Sequence, residues 1–307
     1  MSGGKGRSRV LDTGPVESMQ PDRLTNEPND ELDGVSPEKE AEATEQTIEW
    51  AIRRYHKVQG PSAVNDKVVR EQRIELVING VPLLAMLALP RDVEALAVGF
   101  LVSEGLWRDR IRLPEVHFDA HAGNVMCVGR FDEDAVETIH RRWTFGTGCG
   151  GGGTARDLSL LDECRPIDSR FSVRASQLVA LSREFRQQSV LYRMTGGVHA
   201  CGICDTDRLL LFAEDIGRHN AFDKVAGMAL QRGLDLSDKI ALTTGRLSAE
   251  IVAKVIAHGL PVLASSSAPT AMALQWSRRF GLTLVGFLRG GRMNVYTGYQ
   301  RVVAENG

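Results

Sequence analysis

The chain has 307 residues, of which 43% are apolar, and a formal net charge of -2. This length exceeds that of an average single domain, so we expect a second small domain or a long tail. The balanced charge gives no global attraction to nucleic acid or to an anionic membrane, so any anion site must be built locally. No stretch approaches the roughly 20 apolar residues that span a bilayer, and five cysteines are too few for a disulfide framework. We therefore expect a cytoplasmic protein without a nucleic-acid or membrane partner.

Residues 1–47 are rich in acidic side chains, contain scattered proline and glycine, and include no aromatic residue. Such a segment buries too little apolar surface to offset the entropy lost when it becomes ordered. We therefore predict that residues 1–47 form a disordered leader.

Residues 48–145 predict a small α+β domain. Two strand-like runs within residues 74–89 flank Asn79-Gly80, a pair typical of the type I′ turn of a β-hairpin. The helical spacing of apolar residues in the next segment predicts a helix. A second hairpin is predicted over residues 116–131.

Strand-like and helical segments alternate from residue 209 onward, with short connections that contain glycine. This alternation predicts an α/β fold with a mixed, largely parallel sheet covered by helices. Residues 146–307 are therefore expected to form an α/β domain. Ligands of such sheets bind at the carboxyl ends of the strands. Here those ends carry three polar segments, residues 243–246, 265–269 and 289–292.

The first candidate for chemistry is Cys149, which lies in a run of mostly glycine from Gly146 to Gly153. An accessible thiol on a flexible backbone suits a nucleophile that must visit two partners, and the thiolate is its reactive form. The alternative is a glycine linker with an incidental cysteine. These residues alone leave both interpretations open.

The second candidate is the Cys201-x-x-Cys204 motif with His199 two residues before it. Such a motif is either redox-active or half of a zinc site, but four-coordinate zinc needs two further ligands. The alternative places both cysteines on a helix after His199, packed as small apolar side chains. We favour this alternative for Cys204 and leave Cys201 open.

The third candidate is a polar segment between a predicted strand and a predicted helix. It contains Arg218, His219, Asp223 and Lys224. Helix capping accounts for some polar residues here, but not for these four together. We therefore expect them to line a binding site, because polar clusters at strand ends favour ligands.

The fourth candidate is a turn that carries two arginines. Its residues are Phe287, Leu288, Arg289, Gly290, Gly291 and Arg292. Paired guanidinium groups and free backbone N–H groups suit phosphate. Arg246 adds another cation near a predicted helix N-terminus. Their convergence on one sheet edge predicts an anionic, nucleotide-like ligand.

These segments together resemble the FdhD family of formate dehydrogenase accessory sulfurtransferases. The most specific runs are residues 215–224 and 286–297, and the resemblance covers nearly everything after the leader. It implies a main domain similar to the cytidine deaminase fold. It also implies that Cys149 carries a persulfide and that residues 287–292 bind the molybdenum bis(molybdopterin guanine dinucleotide) cofactor. The implied partners are a cysteine desulfurase, formate dehydrogenase and this cofactor, with a homodimer left open and no metal of the chain's own.

One departure from the family pattern concerns the loop, where Gly152 replaces the second cysteine that many members carry. A single-thiol carrier through Cys149 is therefore expected. Deamination is excluded, because the chain lacks the His-x-Glu and Pro-Cys-x-x-Cys motifs of zinc deaminases. Two alternatives remain: a non-catalytic chaperone for the cofactor, and a redox or zinc protein built on Cys201 and Cys204.

Overall fold

The structure is a computed structural model that describes residues 35–145 and 164–304, with side chains for 35–139 and 164–304. The helices are α1 (Pro37–Glu45), α2 (Val93–Ser103), α3 (Glu133–Phe145), α4 (Ala175–Gln188), α5 (Val190–Thr195), α6 (Arg218–Gln231), α7 (Ala249–Ala257) and α8 (Ala271–Arg279). The strands are β1 (Thr47–His56), β2 (Gly60–Val69), β3 (Gln72–Ile78), β4 (Val81–Ala88), β5 (Glu115–Asp119), β6 (Asn124–Val128), β7 (Val173–Arg174), β8 (His199–Cys204), β9 (Leu209–Asp215), β10 (Ile240–Thr243), β11 (Val262–Ser265), β12 (Thr283–Arg289), β13 (Arg292–Thr297) and β14 (Val302–Val303). None of the helices in these described ranges has the length and apolar character needed to cross a membrane.

Helix α1 shows that order begins before the boundary predicted for the leader. Pro37 starts the helix, and Glu38 and Glu40 lie in its first turn, where proline and acidic side chains are favourable. Ala43 is buried in a cluster with Leu89 and neighbouring apolar residues. The first 34 residues of the chain lie outside the described ranges.

Strands β1 and β2 form an antiparallel two-stranded ribbon that the sequence patterns did not predict. Their pairing is continuous from Thr47 opposite Val69 to His56 opposite Gly60. Most side chains of the ribbon are exposed, and Trp50 is 61% exposed. In β1 the apolar residues Ile48, Trp50 and Ile52 do alternate with other residues, but β2 shows no such alternation, so the pattern did not identify the pair of strands.

The predicted hairpins and helix of the next segment are confirmed. Strands β3 and β4 pair around Asn79 and Gly80, whose φ angles of 48° and 83° fit a type I′ turn. Strands β5 and β6 form the second hairpin, and β3 pairs with β6 in parallel. The resulting four-stranded sheet has the order β4-β3-β6-β5. Helix α2 shares an apolar core with it.

Helices α2 and α6 pack together at two glycines. A Cβ atom added at Gly99 would lie 1.9 Å from the carbonyl oxygen of Asp223. One added at Gly227 would lie 1.9 Å from the carbonyl oxygen of Ala95. The two backbones therefore touch, and this contact joins the four-stranded sheet's layer to the rest of the protein.

The main sheet has six strands in the order β13-β12-β11-β10-β8-β9. Only the pairs β10–β11 and β11–β12 are parallel, and the other three pairs are antiparallel. The prediction of a largely parallel sheet is therefore wrong, although the mixed α/β class is confirmed. Strands β9, β10, β11 and β12 share one direction, as the alternation predicts, but β8 inserts between β9 and β10 in the opposite direction. The resemblance to the cytidine deaminase fold stays an expectation.

Helices cover both faces of this sheet. The core on one face contains Phe222 of α6 and Ile251 of α7, and the core on the other contains Leu181 of α4. Buried runs such as Ile240–Thr243 and Val262–Ser265 are apolar almost throughout, because both of their faces are covered.

Candidate functional site

A cleft of about 780 Å³ opens at the carboxyl ends of β10 and β11. Thr243 and Ser265 end these strands, and Thr244 and Ser266 continue the lining. Residues of α4 and α5 form the opposite wall. The cleft thus lies at the sheet edge where the sequence predicts a ligand.

Hydroxyl groups fix the loops at the bottom of the cleft. Ser265 Oγ donates to the Gly245 carbonyl at 2.7 Å and accepts from the Ser267 N–H at 3.0 Å. Thr243 Oγ1 accepts from the Gly245 N–H at 3.2 Å. These bonds tie the loop after β10 to the loop after β11, so the polar floor of the cleft is held in one arrangement.

His199, at the start of β8, lines the cleft beside these loops. Its Nδ1 lies 3.3 Å from Thr244 Oγ1, which also accepts a hydrogen bond from the Ala200 N–H at 3.0 Å. Burial and the positive charges of Arg218 and Arg246 lower the pKa of His199. The neutral imidazole is therefore favoured, and the two arginines approach the cleft closely enough to influence it.

The wall formed by α4 and α5 carries three arginines, Arg183, Arg186 and Arg193, which we call the arginine wall. Among the described residues that line the cleft, none is Asp or Glu. Partial burial and the neighbouring charge of Arg183 lower the pKa of Arg186. The cleft therefore concentrates positive charge in a chain whose net charge is -2. It is chemically suited to an anion.

Sequence reasoning missed the arginine wall. The spacing of Arg183 and Arg186 was a usable signal, because residues three apart lie on the same face of a helix. That signal gained meaning only from the packing of α4 against the sheet, which turns this end of the helix toward the strand ends.

The predicted arginine turn lies at the tip of the β12–β13 hairpin. Arg289 pairs with Arg292, and the two glycines between them have φ angles of 58° and 76°. Both arginines are exposed, and neither lines the cleft, whereas Leu288 does. Phe287 has a φ of 53°, a left-handed conformation that is strained for an aromatic residue. A register shift between β12 and β13 coincides with it.

Two further predicted residues lie beside one carboxylate. Arg218 Nη2 and His219 Nε2 lie 3.7 Å and 3.4 Å from Glu250 Oε2. Arg218 also packs against the backbone of Gly245, where a Cβ atom would be 2.9 Å from its side chain. Arg246, the residue after Gly245, is exposed. This cluster adjoins the cleft through His199, as the influence on that histidine's pKa indicates.

Lys224, by contrast, does not reach the cleft. Its Nζ lies 2.7 Å from Asp215 Oδ2, and both side chains are fully buried. Lys224 also donates to the Leu89 carbonyl at 3.1 Å, while Asp215 accepts from the Leu89 N–H at 3.1 Å. The pair therefore fastens the end of β4 to the main sheet, because a buried charge must be paired and hydrogen-bonded.

Asp223 is also internal. It lies 2.8 Å from Lys254 Nζ and accepts a 2.6 Å hydrogen bond from Ser103 Oγ. Lys254 also pairs with Glu104 at 2.7 Å. Burial, reinforced by the charge of Glu104, raises the pKa of Asp223 to about 6. Although burial opposes it, the two carboxylates raise the pKa of Lys254. Asp223 and Lys224 thus bind α2 and β4 to the main sheet's layer rather than line the cleft.

Cys201 and Cys204 lie on β8, so the interpretation that placed them on a helix is wrong. Cys201 packs into the core beneath α6, and Cys204 packs into the core beneath α4. Three residues apart on a strand, they point to opposite faces. Burial raises the pKa of both thiols. In the described part of the chain, no group of three or more His, Cys, Asp or Glu side chains is arranged to hold a metal ion.

Cys149 and Gly152 lie outside the described residues. The role assigned to the Cys149 thiol therefore stays a prediction from the sequence.

The fold and the cleft together define an α/β protein with a cation-rich ligand cleft at the carboxyl edge of its main sheet. The FdhD/NarQ family model matches residues 69–303, and the chain belongs to this family.

Several curated relatives cover most of the chain. A protein of Streptomyces coelicolor named sulfur carrier protein FdhD is 38% identical over 251 residues, which are 77% of this chain and 89% of the relative. A Bacillus subtilis protein of the same name is 32% identical over 241 residues, which are 78% and 92% of the two chains. The crystal structure of a formate dehydrogenase accessory protein from Desulfotalea psychrophila matches with a TM-score of 0.71 at 24% identity. It covers 84% of this chain and 100% of its own, and supports the same overall fold.

Proposed function

We propose that the protein is a sulfur carrier for formate dehydrogenase. It accepts the outer sulfur of a cysteine desulfurase persulfide on Cys149 and delivers it to the molybdenum bis(molybdopterin guanine dinucleotide) cofactor. Membership of the FdhD/NarQ family and the names of its relatives support this proposal. The observation that carries it furthest is the cleft, whose wall holds three arginines.

The properties of the cleft fit the phosphorylated part of this substrate. Guanidinium groups bind phosphate oxygens in pairs of parallel hydrogen bonds. Small-molecule sites commonly have volumes of about 300–1,000 Å³, and about 780 Å³ accommodates a nucleotide-sized portion of the cofactor. Leu288 in the lining, with Arg218 and Arg246 beside His199, is consistent with the predicted participation of these segments.

The sulfur moves by thiol exchange at Cys149. The Cys149 thiolate attacks the outer sulfur of the donor persulfide, and the donor cysteine leaves as its thiolate. Cys149 then holds the outer sulfur as a persulfide. In the second transfer the S–S bond breaks, its electron pair stays on the inner sulfur as the Cys149 thiolate, and the neutral outer sulfur passes to a client atom that supplies the electron pair of the new bond, so the carrier needs no second cysteine at position 152.

Persulfide loading tests this proposal directly. The protein is incubated with a cysteine desulfurase and cysteine, and its intact mass is measured. The wild type should gain one sulfur, about 32 Da, and Cys149→Ala should gain none. Cys164→Ala is the matched control, because it removes a partly exposed thiol of the described chain and should still load.

Activation of formate dehydrogenase gives a second test. Cys149→Ala should fold and bind the cofactor, yet leave the dehydrogenase inactive. Full activation by this variant would refute the role of Cys149. If the wild type binds the cofactor without gaining sulfur, the protein is instead a chaperone that only protects the cofactor.

A further inference from the structure

The cleft contains buried polar atoms that the described residues leave unpaired. Ser189 lines the cleft and is 5% exposed, and its Oγ has no hydrogen-bond partner in the described part of the chain. Arg193 Nε, in the same wall, is also buried and unpartnered there. Because buried polar groups are nearly always paired in folded proteins, these two donors indicate a ligand that accepts hydrogen bonds.

The arginine wall keeps most of its donors available. Arg186 Nη1 donates to Ser182 Oγ at 2.6 Å, and Arg193 Nη2 donates to the Gln187 carbonyl at 3.2 Å. Each guanidinium has five N–H groups, so these bonds hold the side chains in place and leave other N–H groups for a ligand. Arg186 and Arg193 are thus oriented before a ligand arrives.

One acidic side chain attracts Arg193 without neutralising the cleft. Glu214 is half-buried and does not line the cleft. Its two oxygens accept the N–H groups of Leu191 and Tyr192, in the first turn of α5, at 3.3 Å and 3.1 Å. Burial raises the pKa of Glu214 to about 7, which further weakens its negative charge near neutral pH.

We propose that the arginine wall and Ser189 bind the diphosphate of the guanine dinucleotide cofactor. The inference rests on the proposed function, because that function supplies the nucleotide. It reassigns the diphosphate contact from the exposed turn of Arg289 and Arg292, which does not line the cleft, to side chains of α4 and α5. Ser189 Oγ and Arg193 Nε donate to phosphate oxygens, and Arg183 and Arg186 supply the charge.

Nucleotide binding to the full chain tests the arginine wall. GDP and guanosine serve as probes, and their dissociation constants are measured by isothermal titration calorimetry. The variant Arg183→Gln/Arg186→Gln should bind GDP about 100-fold more weakly, because it removes two charge-assisted contacts. Its affinity for guanosine should not change. Arg232→Gln, an exposed position outside the cleft, is the control for lost positive charge and should bind GDP normally.

Ser189→Ala separates binding from stability. It should weaken GDP binding about tenfold, since a hydrogen bond to a charged group is lost. Its melting temperature should equal or exceed that of the wild type, because the substitution removes a hydroxyl that has no partner among the described residues. A purely structural serine would instead lower the melting temperature and leave GDP affinity unchanged.

Three outcomes would overturn the proposal that the arginine wall binds the diphosphate. They are no GDP binding by the wild type, unchanged GDP affinity in Arg183→Gln/Arg186→Gln, or an equal loss of GDP affinity in Arg232→Gln. The variant Arg289→Gln/Arg292→Gln should retain its GDP affinity. A loss of GDP affinity in this variant alone would assign the diphosphate to the turn instead. Persulfide loading is measured separately on the same proteins. If GDP binding depends on the arginine wall while Cys149 gains no sulfur, the carrier function fails and the diphosphate site stands.

Discussion

The contact between α2 and α6 gives a sharp prediction about stability. Gly99 and Gly227 lie at the crossing of these helices, where an added Cβ atom would approach a carbonyl oxygen of the other helix to 1.9 Å. Ordinary non-bonded separations are about 3.5 Å. Gly99→Ala or Gly227→Ala should therefore push the helices apart by about 1.5 Å at the crossing.

The expected loss follows from two opposing effects. Overpacking a rigid contact typically costs about 1–3 kcal/mol and occasionally more. Alanine in a helix recovers about 1 kcal/mol relative to glycine. The separation would also stretch the bonds from Asp223 to Ser103 and Lys254, which bridge the same layers. Because the clash is with backbone that cannot rotate away, the upper end of the overpacking cost applies, and each variant should lose about 2 kcal/mol of unfolding free energy.

The double variant adds a test of geometry. A Cβ atom at Gly227 would also lie 3.0 Å from the Gly99 backbone nitrogen, so one separation relieves both clashes. The double variant should lose less than the sum of the single variants. Urea unfolding measures these differences, and Gln231→Ala, at an exposed position on α6, should stay within about 0.5 kcal/mol of the wild type. Single variants as stable as the wild type would refute the backbone contact.

Three further predictions concern buried groups. Burial raises the pKa of Glu214 from 4.5 to about 7, so the folded state binds this proton more tightly than the unfolded state. The associated stabilisation is lost as pH rises through this interval. The melting temperature of the wild type should therefore fall relative to that of Glu214→Gln between pH 5 and 7. If the two melting temperatures changed in parallel with pH, the raised pKa of Glu214 would be contradicted. Lys254→Met leaves two buried carboxylates without their cation and should cost about 3–5 kcal/mol in urea unfolding, and adding Asp223→Asn should recover part of it; an equal loss in the double variant would argue against the pairing. Cys201→Ala and Cys204→Ala should leave persulfide loading unchanged by intact mass, whereas abolished loading would assign these thiols a part in sulfur transfer.

The sequence predicted best where local chemistry decides the structure. Asn79-Gly80 specifies its turn through φ angles that few other residues adopt, so the hairpin was predictable. Strand β8 was not, because Gly202 and its two cysteines carry no strong strand preference and its pairing depends on distant strands. Its insertion is also why the sheet is mixed rather than largely parallel.

The candidate site was predicted in location but only partly in composition. The prediction that the strand ends at Thr243 and Ser265 line the site was correct, because alternating strands and helices bring those ends to one edge of the sheet. Polarity alone could not separate cleft residues from buried pairs, so Lys224 was predicted as a site residue although it pairs internally. Arg186 was missed, because only tertiary packing brings its helix to the cleft.

The β1–β2 ribbon has a practical consequence for dissecting the molecule. Its two strands begin and end side by side, since the Arg70 N–H donates to the Gln46 carbonyl at 2.8 Å and Arg70 Nε donates to the Thr47 carbonyl at 3.0 Å. Ile48 lies opposite Val68, so a two-residue Asn-Gly turn can join them in place of everything between. The ribbon is thus a detachable appendage, and its excision would yield a shortened protein in which the contribution of the ribbon can be measured apart from the folding of the rest.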